Sequence, residues 1–204
     1  IKRSEFIGHI KRVRTVEDAR AYIESVRKTY HDARHVCSAF VIGADRDVQR
    51  SSDDGEPAGT AGVPMMQALL ARQTREDGTT DLSDVVAVVV RYFGGIKLGA
   101  GGLVRAYTDA VVQTLDGALF DSRERLRVGK VPSSHADAGR LENEMRAAGL
   151  NVLGTEYGAE GAVISVGVFD RAEELSRAEE LVVSLSSGAA SVTWGDTQWV
   201  DLPV

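Results

Sequence analysis

Glycine is crowded into two short runs of this chain, and that crowding restricts the fold more than any other feature of the sequence. The runs are Ser51-Ser52-Asp53-Asp54-Gly55-Glu56-Pro57-Ala58-Gly59-Thr60-Ala61-Gly62 and Arg91-Tyr92-Phe93-Gly94-Gly95-Ile96-Lys97-Leu98-Gly99-Ala100-Gly101-Gly102-Leu103-Val104-Arg105-Ala106-Tyr107. Together they hold eight of the 21 glycines in under a sixth of the length. Each joins a predicted strand to a predicted helix, where backbone without a Cβ can approach a neighbour or a ligand. Charge punctuates both: Asp53, Asp54 and Glu56 in the first, Arg91, Lys97 and Arg105 in the second.

The elements around these runs read as α+β. Glu5 to Val13 is extended, Thr15 is placed to cap a helix, and Val16, Ala19, Tyr22, Ile23 and Val26 give it helical spacing. Val36 to Ile42 and Asp47 to Ser51 form a hairpin about Gly43 to Arg46. A helix opens at Gly59 or Thr60, and Arg75 to Asp81 is a polar loop. Val85 to Val90 has the composition of a strand buried on both faces. A helix follows the second run from about Leu103 to Leu119. Near Phe120 the pattern restarts as β-α-β-β-α-β, with Ser133 or Ser134 capping its first helix, Asp170 its second, and a last strand over Ala190 to Val200. Two domains are expected, 1–121 and 122–204.

Composition narrows the function. The first 121 residues carry 16 Lys+Arg against 17 Asp+Glu and the remainder 8 against 13, so the net charge of −6 is concentrated in the second domain. That balance does not suggest a strongly cationic nucleic-acid binder. No apolar run is long enough to cross a bilayer. A single cysteine, Cys37, excludes an internal disulfide and fits a reducing cytoplasm.

Three constellations offer chemistry. Asp53, Asp54 and Glu56 share a turn and could hold a hard cation or act as acid and base, but the stretch lacks regular ligand spacing. The alternative is structural: the carboxylates cap the next helix or pair with Arg91 or Arg105. His35 and Cys37 lie on one face of one strand, which permits a nucleophile–base pair, while a simply buried cysteine is the common alternative. The second glycine run resembles a phosphate cradle in outline, with backbone N–H groups ahead of a helix and Lys97 nearby. It lacks the Gly-Lys-Ser/Thr ending of a nucleotide-binding P-loop and has Val104 where a dinucleotide fingerprint needs its third glycine. A phosphodiester backbone, a free nucleotide and a tight strand-to-helix connection all remain open, and Tyr92, Phe93 and Tyr107 suit either a core or a stacking platform.

Three stretches combined are more specific: Asp32-Ala33-Arg34-His35-Val36-Cys37-Ser38-Ala39-Phe40, then residues 51–65, then residues 91–107. They resemble the signature of the IMPACT/YigZ family across residues 4–119, and residues 123–200 are similar to the small second domain of its bacterial members. Val36 departs from the polar residue the family commonly carries there, which weakens a polar His-x-Cys centre. The resemblance implies a first domain like domain two of ribosomal protein S-five and domain IV of elongation factor G, with a left-handed β-α-β crossover. It implies a ferredoxin-like second domain like domain V of the same factor.

The resemblance further implies a cytoplasmic, translation-associated binding protein that contacts a ribosome, RNA or a translation-related protein. No catalysis, cofactor, metal, DNA or membrane partner is expected. Arg91, Lys97 and Arg105 are the expected phosphate contacts, framed by the amides of Gly94, Gly95, Gly99, Gly101 and Gly102. The alternative is an enzyme acting on a nucleotide or other phosphorylated small molecule, with the acidic 53–56 turn as its acid–base or metal site.

Overall fold

The computed structural model describes residues 1–202, and these divide between Phe120 and Asp121 into two compact units. The first unit contains, in order, β1 (Glu5–Arg12), α1 (Val16–Thr29), β2 (His35–Ile42), β3 (Val48–Ser52), α2 (Gly62–Ala71), β4 (Val85–Tyr92) and α3 (Ala100–Asp116). Its sheet runs β1-β4-β2-β3, with every neighbouring pair antiparallel.

The valine run places β4 at the centre of this sheet. Val86, Val88 and Val90 join Ala19 and Val26 of α1 in one core. Val85, Ala87 and Val89 face Met65 and Leu69 of α2 and Leu103, Tyr107, Val111 and Leu115 of α3 in another. The strand is therefore buried on both faces, as its composition predicts, although its neighbours are antiparallel. Period-two alternation then carries Arg91 onto the α2–α3 face, in register with His35 of β2.

Local signals explain most boundaries. Thr15 Oγ1 accepts from the Asp18 N–H at 3.1 Å and starts α1 as expected. The β2–β3 hairpin turns at Gly43, and the Arg46 N–H closes it onto the Gly43 carbonyl at 2.9 Å. Two helix starts differ from the sequence reading. Helix α2 opens at Gly62 rather than Gly59 or Thr60, because its capping group is the distant carboxylate of Asp53. Helix α3 opens at Ala100, three residues before Leu103, because Gly99 takes φ +74° and turns the chain directly into the helix.

The second unit contains β5 (Ser122–Ser133), α4 (Ala138–Ala147), β6 (Asn151–Tyr157), β7 (Ala162–Phe169), α5 (Ala172–Leu185) and β8 (Thr193–Leu202), in a β6-β7-β5-β8 antiparallel sheet. Val131, Ile164 and Val166 pack with Leu141 and Met145 of α4 and Val182 of α5. Ser134 Oγ accepts from the Asp137 N–H at 3.1 Å and closes the turn ahead of α4, whose own cap position, Asp137, has no side-chain cap. Asp170 is not a cap. Its carboxylate is held by Arg127, Nε and Nη2 each at 2.8 Å, and Arg171 occupies the position before α5 with no side-chain cap. The last strand begins at Thr193, after Ala190 has packed into the core.

Candidate functional site

The first glycine-rich turn leaves β3 and immediately spends its three carboxylates on the fold. Asp53 Oδ1 accepts from the Ala61 N–H at 3.0 Å and the Gly62 N–H at 2.8 Å, and Oδ2 accepts from the Gly59 N–H at 2.8 Å. Partial burial raises its pKa, but the three amide donors outweigh burial and hold it below the ordinary value. An anionic group thus sits where the N-terminus of α2 presents unpaired N–H groups. Close approach makes this possible: a Cβ on Gly62 would stand 2.8 Å from the Ser52 nitrogen.

Asp54 ties the turn to the opposite layer. Its Oδ2 accepts from the Val36 N–H at 2.7 Å and its Oδ1 from Arg27 Nη2 at 2.8 Å, while its carbonyl lies 2.9 Å from His35 Nδ1. Position 36 contributes through its backbone, and the Val36 side chain packs in the α1 core. Valine is therefore compatible with this junction.

Glu56 goes deepest. Its Oε1 accepts from Arg91 Nη1 at 2.5 Å and from the Tyr107 hydroxyl at 2.8 Å, and its Oε2 lies 3.9 Å from His35 Nε2. The Arg91 guanidinium lies 5.5 Å from the Phe6 ring centroid and 5.6 Å from that of Phe93, and Phe6 meets Tyr107 edge-on. Arg91, expected as a phosphate contact, is only 5% exposed and serves as the counter-ion of Glu56. Of the two arginines offered as partners for the acidic turn, Arg91 makes the pair, and no pairing with Arg105 is found among the described residues.

Cys37 lies beneath this pair. Its thiol donates to the Asp53 carbonyl at 3.0 Å and lies 3.3 Å from the Tyr107 hydroxyl. Burial pushes the Cys37 pKa up to about 12, and the neighbouring carboxylates add to the rise. Burial likewise raises Tyr107. A thiol held protonated in this way is not an activated nucleophile. Among the described residues, no three His, Cys, Asp or Glu side chains are grouped to hold a metal ion.

The second glycine-rich turn divides in two. Gly94 serves the fold, since a Cβ there would stand 2.0 Å from the Arg3 backbone, and its N–H donates to Ser4 Oγ at 3.2 Å. Gly102 faces Leu98, whereas Gly95, Gly99 and Gly101 have open space where a side chain would begin. Lys97 and Arg105 are exposed, along with Phe93, Ile96 and Val104. The residues missed in the sequence are Tyr107 as a donor to Glu56 and Arg27 as a donor to Asp54. Tyr107 was visible in the second run as an aromatic of core or stacking type; nothing in α1 singles out Arg27.

Comparison with known proteins gives this arrangement a lineage. The model of the Impact N-terminal domain matches residues 2–115, a span that includes both turns. IMPACT family member YvyE of Bacillus subtilis (strain 168) is 35% identical over 204 residues, covering all of this chain and 89% of that protein. IMPACT family member YigZ of Escherichia coli (strain K12) is 50% identical over 117 residues, 56% of this chain and 53% of that protein. A solved structure titled "Crystal structure of an hypothetical protein" superimposes with a TM-score of 0.63 at 34% identity, covering 94% of this chain and 89% of the other. The chain belongs to the IMPACT family.

Proposed function

We propose that this chain is a translation-associated binding protein that contacts a ribosome or structured RNA through the rim of its second glycine-rich turn. Lys97 and Arg105 supply phosphate contacts, with the amides of Gly95, Gly99, Gly101 and Gly102 framing the approach at the start of α3. One observation carries this reading. The carboxylates of the first turn are engaged within the fold, while Lys97 and Arg105 are exposed and have no ion-pair partner among the described residues. Family membership supports the translational setting. The finer likeness to domain two of ribosomal protein S-five and to domains IV and V of elongation factor G belongs to the same reading. No helix among the described residues is long and apolar enough to cross a membrane, and this agrees with a partner in solution.

The alternative acid–base or metal role for Asp53, Asp54 and Glu56 finds little support, since amides and guanidinium groups already occupy those oxygens. The test is sucrose-gradient co-sedimentation of the tagged protein with ribosomes from its own lysate at low and high salt. Migration with a subunit peak that is lost at high salt supports phosphate contact. Protein remaining at the top of the gradient at low salt overturns the reading.

A further inference from the structure

The second unit carries a polar groove that this reading does not use. It has a volume of about 550 Å³ and is lined by Arg125 and Arg127 of β5, Asp170 after β7, and Asp196 and Thr197 of β8. Its two arginines are in different situations. Arg127 is consumed: Nε and Nη2 hold Asp170, and Nη1 donates to the Gly195 carbonyl at 3.1 Å. Arg125 is not, because only its Nε is bonded, to Thr197 Oγ1 at 3.1 Å. Its two terminal amino groups make no hydrogen bond among the described residues, the side chain is exposed, and its charge acts on the Asp170 carboxylate. Such a fork matches the paired oxygens of a phosphate.

Two further groups bear on what accompanies that phosphate. Trp199 stands directly across from Arg125 in the β5–β8 register, so both side chains leave the same face of the sheet. It is 37% exposed, whereas Trp194 packs in the core and donates its indole N–H to Glu179. Asp196 sits where β8 bulges against β5; it is exposed, its charge acts on Arg127, and it makes no hydrogen bond among the described residues. A carboxylate offers only acceptors, and so fits hydroxyl or amino donors on a ligand. Farther along β5, Arg123 Nε lies 3.5 Å from the Asp201 carboxylate.

We propose that this groove binds one nucleotide unit of single-stranded RNA, with its phosphate on Arg125, its base against Trp199 and a ribose hydroxyl on Asp196. This is a second contact, on a different unit from the glycine-rich turn, and stands or falls independently of it. One committed phosphate gives a weak, shallow salt dependence, with a slope of about −0.7 in log affinity against log salt. Stacking on Trp199 adds about fivefold or more in affinity, and the ribose hydroxyl favours RNA over DNA.

The experiment titrates the full chain with an RNA octamer while following tryptophan emission. The expected result is quenching of Trp199. Arg125→Gln then weakens binding and flattens the salt slope, and Trp199→Ala costs about fivefold or more. Trp199→Phe retains part of the affinity without the signal, and Arg140→Gln on the outer face of α4 changes nothing. Far-UV circular dichroism confirms that each variant is folded. Octamer binding that is unchanged in Arg125→Gln and Trp199→Phe overturns the proposal. So does equal affinity for a DNA octamer, or competition by inorganic phosphate as effective as by a mononucleotide. The variant Lys97→Glu/Arg105→Glu separates the two sites, losing ribosome co-sedimentation while retaining octamer binding.

Discussion

The Glu56 carboxylate and the Arg91 guanidinium form a buried ion pair, Oε1 to Nη1 2.5 Å, with side chains 3% and 6% exposed. The two residues come from the two glycine-rich turns, 35 positions apart, so the pair fastens one turn to the other across the sheet. Burying two charges gains little over an apolar pair of the same shape, because desolvation offsets most of the attraction. The Nε of Arg91 is buried with no hydrogen-bond partner among the described residues, which adds to that cost. The pair therefore specifies which turn meets which more than it adds net stability.

Removing one partner alone is costly. Glu56→Ala leaves the Arg91 charge and the Tyr107 hydroxyl without their acceptor, and a loss of about 3 kcal/mol or more is expected. For a unit of this size, that lowers the melting temperature on the order of 10 °C. The double variant Glu56→Ala/Arg91→Met recovers part of the loss, and calorimetry of the native protein, the two single variants and the double reads the coupling. Additive losses would show that the two residues act separately.

Asp53 carries a pH signature. Its folded pKa lies below its ordinary value, so its contribution is present above the ordinary carboxylate pKa and is lost as pH falls through the folded one. Urea titrations at several acidic pH values should show stability falling below about pH 4. Asp53→Asn keeps one acceptor for the Ala61 and Gly62 amides and flattens that fall. Asp53→Ala removes every acceptor and costs about 1–2 kcal/mol at neutral pH, the usual loss for a helix cap. An unchanged acid limb in Asp53→Asn would mean that other carboxylates govern it.

Much of this architecture was legible where neighbouring residues decide it. The unbroken valines of β4, the Thr15 cap and the β-α-β-β-α-β order of the second unit are all local patterns, and the structure shows each of them. The reading ran out where a distant group decides. Helix α2 begins where a carboxylate eight residues before its cap position can reach its amides, and no window over residues 59–62 contains that information. Asp170 looks like a cap, yet Arg127, 43 positions away, takes its carboxylate. Arg91 looks like a free cation, but alternation along β4 turns it inward, and only the fold supplies Glu56 to meet it.

Cys37 gives an alkaline counterpart. Its folded pKa is raised to about 12 from an ordinary value of 9.0, so the protonated thiol stabilises the fold below pH 9. That contribution is lost as pH rises from there toward the folded value, because the unfolded chain releases the proton first. Stability should fall across this window, and Cys37→Ala should remove part of the slope. The residual slope reports Tyr107, Tyr92 and Tyr22, whose pKa values are also raised. In the native protein at pH 8, a thiol-specific disulfide reagent should react only on opening of the first unit, accelerating with urea. Rapid reaction without denaturant would show that Cys37 is accessible.

Lys97 and Arg105 separate recognition from folding. Both are exposed and hold no side chain among the described residues, so Lys97→Glu/Arg105→Glu should shift stability by no more than about 0.5 kcal/mol. If they touch phosphates, the same change weakens ribosome association and lowers its salt slope by about 1 per cation removed. Arg91 provides the contrast: Arg91→Met exposes no surface cation to loss, strands the buried Glu56 charge and acts through unfolding. Binding isotherms at three salt concentrations, run beside thermal melts of the same samples, resolve the two behaviours. Full binding by Lys97→Glu/Arg105→Glu with an unchanged slope would place the phosphate-contacting surface elsewhere on the protein.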